Sequence, residues 1–349
     1  MMEYAGSGRA MTGDDGILGV VGAGVMGAEI AQAAAGAGFE VLLRDIDRDL
    51  VQGGLERIRA IGERRVAHGR LDAGAARAAL TRVRGVTDDA DLAACGVVIE
   101  AVTEVLAVKR ILVRRLGDAL PPDTILASNT SGLSITDLGR HTGRPERFVG
   151  LHFFNPASVM DLVEVVPGAD TSHDTLTRAL AVVRALGKPP LVVRDTPGFL
   201  VTRILLRAVA EAHRLTAELG ADRAGVDTAV IADGPAPRGP FALADMVGPH
   251  PLERVRRGLE AAYGPRFDDA GILARDIAAG HRAPVPGSGP VTGGGTGAQP
   301  GPDEHAVAVA YYAGAADESR RCRDDGVATH AEDIDSAMRL GAGWARSPL

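Results

Sequence analysis

A glycine-rich turn near the N-terminus constrains the fold of this chain more than any other feature. The apolar run Ile17 to Val21 is followed by Gly22-Ala23-Gly24-Val25-Met26-Gly27 and then by a helix-like stretch. This is the G-x-G-x-x-G pattern between a strand and a helix, in which the glycines permit a tight turn, close approach to a pyrophosphate and close helix packing. The N–H groups at the start of the helix would face the phosphates. The pattern predicts dinucleotide binding by an α/β fold.

An acidic residue stands where such a site would bind a ribose. Residues 39–43 predict a second strand that leads to Asp45, whose carboxylate can accept hydrogen bonds from the adenosine ribose. Arg44 leaves room for a 2′-phosphate, but an acid in this place repels one, so NAD is favoured over NADP. The alternative interpretation is a glycine-rich turn in an α/β protein that has lost its ligand.

A histidine and a carboxylate lie in adjacent apolar runs farther along the chain. His152 is in Leu151-His152-Phe153-Phe154-Asn155-Pro156, and Glu164 is in Leu162-Val163-Glu164-Val165-Val166. Ser128-Asn129-Thr130-Ser131 supplies hydroxyl and amide groups just upstream. Each apolar run predicts a buried strand, which puts both residues at or near strand ends, where α/β enzymes usually keep their chemistry. The pair can act as a general base and its orienting partner, whereas the alternative for His152 is a core or turn residue.

The order of apolar and helical segments predicts the fold class. Strand-like runs alternate with helical stretches up to about Pro197, which is typical of a doubly wound, Rossmann-type sheet. The predicted strands are 17–21, 39–43, 97–101, 124–128, 148–152, 162–166 and 191–193. Residues 50–80 predict a pair of helices. We therefore predict an α/β nucleotide-binding domain at 17–196, followed by an all-α helical domain at 197–280.

Helical spacing in the second domain predicts one buried face. The apolar residues recur as Ile204, Ala208, Ala212, Leu215 and Leu219. This face would be covered either by the core of the domain or by another subunit.

The C-terminal part departs from a simple two-domain chain. Residues 281–304 are crowded with glycine and proline and predict a flexible linker, and residues 1–16 predict a disordered tail. A weak internal repeat follows the linker, because residues 318–326 echo 211–220 and residues 333–337 echo 225–229. Residues 305–349 are therefore predicted to be a shortened second copy of the helical domain.

Charge and cysteine content argue against several function classes. The 349 residues carry a net charge of −7, whereas nucleic-acid binding requires a basic stripe. Cys95 and Cys322 lie far apart and form no metal-ligand pattern, so we expect a cytoplasmic protein without a metal. No signal peptide is recognised and no apolar run approaches membrane-spanning length, so no membrane partner is expected.

Several separated motifs together resemble the 3-hydroxyacyl-CoA dehydrogenase family, including the 3-hydroxybutyryl-CoA dehydrogenases, from about Ile17 to Met246. Besides the motifs above, they include Val98-Ile99-Glu100-Ala101 and Asp195-Thr196-Pro197-Gly198-Phe199. The resemblance implies NAD-dependent oxidation of a 3-hydroxyacyl-CoA to the 3-oxoacyl-CoA, or the reverse reaction, by a homodimer. It also implies that the helical pair contacts the CoA end of the substrate, where Arg57, Arg59, Arg64 and Arg65 could bind phosphates. For any single arginine, the alternative is a solvated charged face.

The same resemblance implies roles for individual residues. His152 is implied to be the general base, Glu164 its partner, and Ser131 and Asn155 the contacts of the reacting oxygen. The residues implied or predicted to bind the cofactor are Gly22, Gly24, Val25, Met26, Gly27, Asp45, Ala101, Glu104, Lys109 and Asn129. From the residues alone, Ser131 could instead cap a following helix and Asn155-Pro156 could be only a turn.

One position departs from the family pattern. Thr202 stands where an asparagine of the catalytic set is usual, and a threonine keeps a hydroxyl donor but loses the longer amide. Three alternatives to a CoA-dependent dehydrogenase follow. The same fold could act on an acyl-carrier-protein thioester or a free hydroxy acid, it could bind NAD with weakened turnover, or it could serve as a structural partner subunit.

Overall fold

The computed structural model describes residues 16–281 and 299–348. Nearly all of the predicted N-terminal tail and most of the predicted linker lie outside the described residues.

The described residues form one eight-stranded sheet in the order β3-β2-β1-β4-β5-β6-β7-β8. The first six strands in this order, β3-β2-β1-β4-β5-β6, run parallel to one another. Strand β7 is antiparallel to β6, and β8 is parallel to β7. The strands are β1 Ile17–Val21, β2 Glu40–Arg44, β3 Val83–Val86, β4 Val97–Glu100, β5 Ile125–Ser128, β6 Phe148–Phe153, β7 Val163–Pro167 and β8 Pro190–Val192. The prediction of a doubly wound, Rossmann-type sheet is confirmed.

Helices cover both faces of this sheet, and each face has its own apolar core. They are α1 Val25–Gly36, α2 Arg48–Ala67, α3 Ala73–Thr81, α4 Leu106–Ala119, α5 Ile135–His141 and α6 His173–Ala185. Small side chains let α1 approach the sheet closely, since Ala28, Ala31, Ala34 and Ala35 are fully buried. The predicted helical pair at 50–80 corresponds to α2 and α3.

Sequence analysis missed the strand β3. Its burial does not alternate, since Arg84 is exposed and Val86, on the same face two residues later, is buried, and four residues are too few to give a clear period. Pairing with β2 at the edge of the sheet supplies the hydrogen bonds that define the strand.

The remainder of the described chain is helical, as predicted. The helices are α7 Val201–Leu219, α8 Arg223–Asp233, α9 Pro240–Val247, α10 Pro249–Tyr263, α11 Ile272–Ala278, α12 Pro302–Asp324 and α13 Ala331–Gly341. The face of α7 with Ile204, Ala208 and Ala212 is fully buried, but Leu219 at its end is 42% exposed. Helix α12 of the same chain packs along α7. The apolar face that suggested a partner subunit is therefore in contact with another part of this chain.

Helix α12 begins earlier than predicted. Residues up to 304 were assigned to the linker, yet the helix starts at Pro302, because proline suits the first helical position and Glu304 accepts the N–H of Gly301 at 2.9 Å. The long helix α12 is followed by the shorter helix α13, and this repeats the order of α7 and α8. The division of the chain into a domain and a shortened copy stays a prediction.

Membrane insertion has no support in the helices of residues 16–281 and 299–348. None of them combines the length and the apolar character that crossing a bilayer requires.

Candidate active site

Two strands bring His152 and Glu164 together. The antiparallel register of β6 and β7 pairs the two residues directly, and Nδ1 of His152 lies 2.6 Å from Oε2 of Glu164. Glu164 is fully buried and His152 is 6% exposed. A carboxylate on Nδ1 holds that nitrogen as a donor, which leaves Nε2 as the nitrogen that can accept a proton.

The start of α7 holds the other oxygen of Glu164. Oε1 accepts the N–H groups of Val201 at 2.9 Å and of Leu200 at 3.2 Å, and no side chain of α7 caps this end of the helix. N-terminal N–H groups favour a negative charge, so the helix stabilises Glu164 as a carboxylate where water cannot reach it. Glu164 thus links His152 to the helical domain.

Two aromatic rings enclose the imidazole. The ring centroids of Phe154 and Phe199 lie 4.5 and 5.9 Å from that of His152. Phe199 has a φ of +48° and follows Gly198 with a φ of +74°. A bulky residue rarely adopts a positive φ, at a cost on the order of 1–3 kcal/mol, so the surrounding packing must hold this turn in place.

Ser131 contacts a carboxylate rather than capping a helix. Its N–H and its hydroxyl lie 2.9 and 3.3 Å from Oε1 of Glu104, and Thr130 donates to the same oxygen. The cap of α5 is Ser134, whose hydroxyl accepts the N–H of Asp137. Ser131 and Glu104, both predicted site residues, are therefore neighbours.

Lys109 is 1% exposed and lies between two acids. Its Nζ is 2.6 Å from Glu100 and 3.4 Å from Glu104, and it donates to the carbonyl of Val102 at 3.2 Å. The ammonium group is therefore already engaged, and it fixes the position of Glu104. Glu100 was not among the predicted site residues, although it is fully buried and also accepts the hydroxyl of Ser128 at 2.7 Å.

The two asparagines differ in their surroundings. Oδ1 of Asn129 accepts the N–H of Phe153 at 2.8 Å, which joins the ends of β5 and β6 beside His152. Asn155 is exposed and precedes a turn in which the N–H groups of Val159 and Met160 both donate to the carbonyl of Pro156. Asn129 therefore orders the strand ends, whereas the amide of Asn155 faces solvent.

The glycine turn fits a pyrophosphate. Gly22 has a φ of +104°, and a Cβ on Gly27 would lie 1.7 Å from the carbonyl oxygen of Gly22. A Cβ on Gly24 would meet nothing within 4 Å, so the backbone there is open to a ligand. Helix α1 has neither a side-chain cap nor an acidic residue in its first turn, where Val25 and Met26 lie. Its first N–H groups are thus available to phosphate oxygens.

Asp45 and Ala101 border this turn. The carboxylate of Asp45 accepts the N–H of Ala23 at 2.6 Å and that of Ile46 at 2.7 Å, and a carboxylate has further lone pairs for a ribose. The N–H of Ala101 donates to the carbonyl of Val21 at 2.8 Å, which places the end of β4 against the turn.

Arg44 is directed elsewhere. It is 7% exposed, and its Nε lies 2.8 Å from Asp89. The guanidinium is paired there, so it does not compensate the charge of Asp45.

Family models match most of the chain. The model of the 3-hydroxyacyl-CoA dehydrogenase NAD binding domain matches residues 17–196, and that of the 3-hydroxyacyl-CoA dehydrogenase C-terminal domain matches residues 198–289. The chain belongs to the 3-hydroxyacyl-CoA dehydrogenase family. The predictions of an oxidoreductase and of NAD as its cofactor are confirmed.

Individual relatives agree with this assignment. The chain is 40% identical over 268 residues to a 3-hydroxybutyryl-CoA dehydrogenase of Bradyrhizobium diazoefficiens, covering 74% of this chain and 92% of that protein. It is 41% identical over 229 residues to the 3-hydroxyadipyl-CoA dehydrogenase of Escherichia coli, covering 66% of this chain but only 48% of that protein. A crystal structure of an E. coli 3-hydroxybutyryl-CoA dehydrogenase superposes with a TM-score of 0.81 at 28% identity, covering 95% of this chain and 90% of that one.

Thr202, which was predicted to depart from the family pattern, occupies the first turn of α7. It directly follows Val201, whose N–H donates to Glu164, and it is half-buried. The side chain at this position therefore follows, by one residue, a backbone donor to Glu164, which is hydrogen-bonded to His152.

The arginines of α2 are distributed differently. Arg57 donates to the carbonyl of Ala23 in the glycine turn at 3.2 Å, and Arg65 contacts Gln32 at 3.4 Å. Arg59 and Arg64 are exposed. Arg57 thus binds the backbone of the glycine turn. Binding of CoA phosphates by the other arginines stays a prediction.

Sequence analysis also missed a link between α1 and the loop after His152. Glu29 is 6% exposed and accepts the N–H of Ser158 at 3.0 Å. A buried acid on a helix that is otherwise rich in alanine was the available signal. For Glu100, the signal was a carboxylate at the end of an apolar strand.

Proposed function

We propose that this family member oxidises the 3-hydroxyl of an acyl-CoA thioester to the 3-oxo group with NAD, or catalyses the reverse reaction. The observation that carries the proposal is the buried His152–Glu164 pair, which lies at an edge of the sheet that also presents the glycine turn. Alcohol oxidation by hydride transfer requires a base for the hydroxyl proton, and an imidazole oriented by a carboxylate is suited to that task.

His152 takes the proton at Nε2 when the alcohol is oxidised and returns it when the ketone is reduced. Glu164 keeps Nδ1 as a donor and stabilises the imidazolium ion while it exists. Bound NAD supplies the acceptor for the hydride, so the protein has only to bind, orient and polarise.

Ser131 and Asn155 are proposed to donate hydrogen bonds to the substrate oxygen as negative charge develops on it. Such a donor is often worth about 3 kcal/mol. The Ser131 hydroxyl is held near Glu104 at 3.3 Å, and the exposed amide of Asn155 has space to turn towards a substrate.

Asp45 is proposed to bind the adenosine ribose, and the turn from Gly22 to Gly27 the pyrophosphate. Ala101, Glu104, Lys109 and Asn129 are proposed to shape the nicotinamide end of the same cleft. For Lys109 this role is indirect, because its Nζ is buried against Glu100 and Glu104.

The finer assignments rest on the family resemblance. We propose CoA as the carrier, a homodimer as the assembly and the cytoplasm as the location. A dimer would need a surface other than the face of α7 that α12 covers.

Reduction of acetoacetyl-CoA with NADH tests the proposal. We expect turnover with the CoA thioester and much less with the acyl-carrier-protein thioester or free acetoacetate. The variant His152→Gln should lower kcat by on the order of a hundredfold or more while NADH affinity changes little.

The control variant is His173→Gln, an exposed histidine at the start of α6, which should leave kcat unchanged. Full activity of His152→Gln would end the assignment of the base. Preference for the carrier-protein thioester would contradict the assignment of CoA as the carrier. It would not affect the assignment of His152 as the base.

A further inference from the structure

A buried charge cluster joins α7 to α12 close to the dyad. Arg203 is 1% exposed and Glu318 is fully buried, with Nε of Arg203 2.6 Å from Oε1 of Glu318. Asp325 lies 2.7 Å from Nη2 of Arg203, and Arg266 lies 2.8 Å from the second oxygen of Glu318. The proposed reaction uses none of these groups.

Buried ion pairs seldom stabilise a fold more than apolar side chains of similar volume, and loss of one partner leaves an uncompensated charge. Glu318 serves two guanidinium groups at once, so its removal would leave both without their shared anion. The carboxylates of Glu318 and Asp325 both pair with the guanidinium of Arg203 and hold it in place.

Arg203 closes the turn that orients Glu164. Its N–H donates to the carbonyl of Gly198 at 3.0 Å, and between these two residues lie Phe199, with a φ of +48°, and the Leu200 and Val201 N–H groups bound to Glu164. The side chain of Arg203 anchors this turn to α12. A shift of Arg203 therefore moves the donors of Glu164.

Other contacts place α12 and α13 against the same site. A Cβ on Gly341 of α13 would lie 3.2 Å from the ring of Phe154, which itself packs on His152. Arg194, just before the turn, donates its N–H to the carbonyl of Val327 at 3.0 Å. Burial raises the pKa of the Cys322 thiol on α12 to about 12, and the charges of Glu318 and Glu164 both add to the rise.

We propose that Glu318 is a positioning residue for the His152–Glu164 dyad, acting through Arg203 on the first turn of α7. This inference rests on the proposed function, because it assigns Glu318 a role through the base named there. It gives the C-terminal helices a part in the reaction without any contact to substrate.

A double-mutant cycle in the full chain tests it, with acetoacetyl-CoA and NADH as substrates. Glu318→Gln should lower kcat about tenfold, because small displacements of a catalytic group are costly, while the Kd for NADH stays within about twofold. In the His152→Gln background, the same change should have almost no further effect on the residual kcat. A merely structural role would lower activity equally in both backgrounds.

The matched control is Asp317→Asn, which removes a neighbouring acid of α12 that pairs with Arg321 at 2.9 Å on the surface. It should leave kcat unchanged. If Glu318→Gln does not fold, Asp325→Asn removes the 52% exposed partner of Arg203 and should lower kcat about threefold, again only when His152 is present.

Wild-type kcat in both Glu318→Gln and Asp325→Asn would overturn the inference, as would equal losses with and without His152. Loss of activity in His152→Gln together with normal Glu318→Gln would leave the proposed function standing. Normal activity in His152→Gln would instead remove the function on which the inference rests.

Discussion

His152 and Glu164 face each other across the antiparallel pair β6 and β7, with Nδ1 of the histidine 2.6 Å from a carboxylate oxygen. Strands β6 and β7 form the one antiparallel pair of the described sheet. His152 and Glu164 therefore lie on strands that run in opposite directions, and they meet at one edge of the sheet. Because the pairing is part of the backbone register, the orientation of the imidazole is set before any ligand binds.

Glu164→Gln should lower kcat on the order of a hundredfold or more. The amide oxygen can still accept the N–H groups of Leu200 and Val201, but its NH₂ group then faces Nδ1 of His152 and imposes the wrong tautomer. Steady-state kinetics with NADH titrations by fluorescence would measure kcat and Kd separately. An unchanged kcat would show that Glu164 has no orienting role.

Asp45 should make the enzyme prefer NADH to NADPH. A 2′-phosphate would meet the carboxylate of Asp45, and Arg44 cannot compensate because it pairs with Asp89 at 2.8 Å. Asp45→Asn should narrow the ratio of kcat/KM values for the two cofactors by about tenfold. Asp49→Asn removes the same charge from the first turn of α2 and should change the ratio less. A wild-type preference for NADPH would contradict the assignment.

Thr202→Asn should raise turnover on a 3-oxoacyl-CoA by about tenfold, which corresponds to one recovered transition-state hydrogen bond of roughly 1.4 kcal/mol. Thr202→Val is the matched control, since it keeps the shape but lacks the hydroxyl, and it should not gain activity. If Thr202→Asn is slower than wild type on every CoA thioester, threonine suits a different substrate better than asparagine does.

Asp227 should make stability depend on pH. Burial raises the pKa of its carboxyl to about 6 from its ordinary 3.8, although the N–H groups of Phe241 and Ala242 oppose the rise. The folded state therefore keeps a proton that the unfolded state loses, so this contribution is complete below pH 3.8 and is lost as the pH rises through 6.

Urea unfolding of wild type and Asp227→Asn between pH 4.5 and 7.5 would measure the effect. The difference in unfolding free energy should fall by about 1.4 kcal/mol per pH unit up to pH 6 and then level off. Parallel pH curves for the two proteins would contradict it.

The sheet and its order of segments could be predicted from local pattern. The run that became β1 is recognisable because a buried parallel strand is continuously apolar and a glycine turn ends it. The strand β3 could not be recognised, because its four residues include the exposed Arg84 and depend on pairing with β2. Local pattern therefore identifies central strands better than edge strands.

The site residues also divide into those that local pattern identifies and those that depend on contacts between distant segments. His152 and Glu164 stand out as polar residues within apolar runs, so the sequence pointed to both. The partner of Ser131 could not be predicted, because Glu104 approaches it from another strand end, and the same holds for Glu318, which meets Arg203 only through the packing of α12 on α7. Contacts between distant segments depend on tertiary packing, which local spacing does not encode.

The Arg203–Glu318 pair joins positions that are 115 residues apart in the chain. During synthesis, the sheet and α7 leave the ribosome well before α12, so the nascent protein exposes the apolar face of α7 until its C-terminal helices arrive. Such a late, long-range contact slows folding and leaves a surface that chaperones can bind. If Glu318 positions the dyad as proposed, the final orientation of His152 would form only after the N-terminal domain has folded.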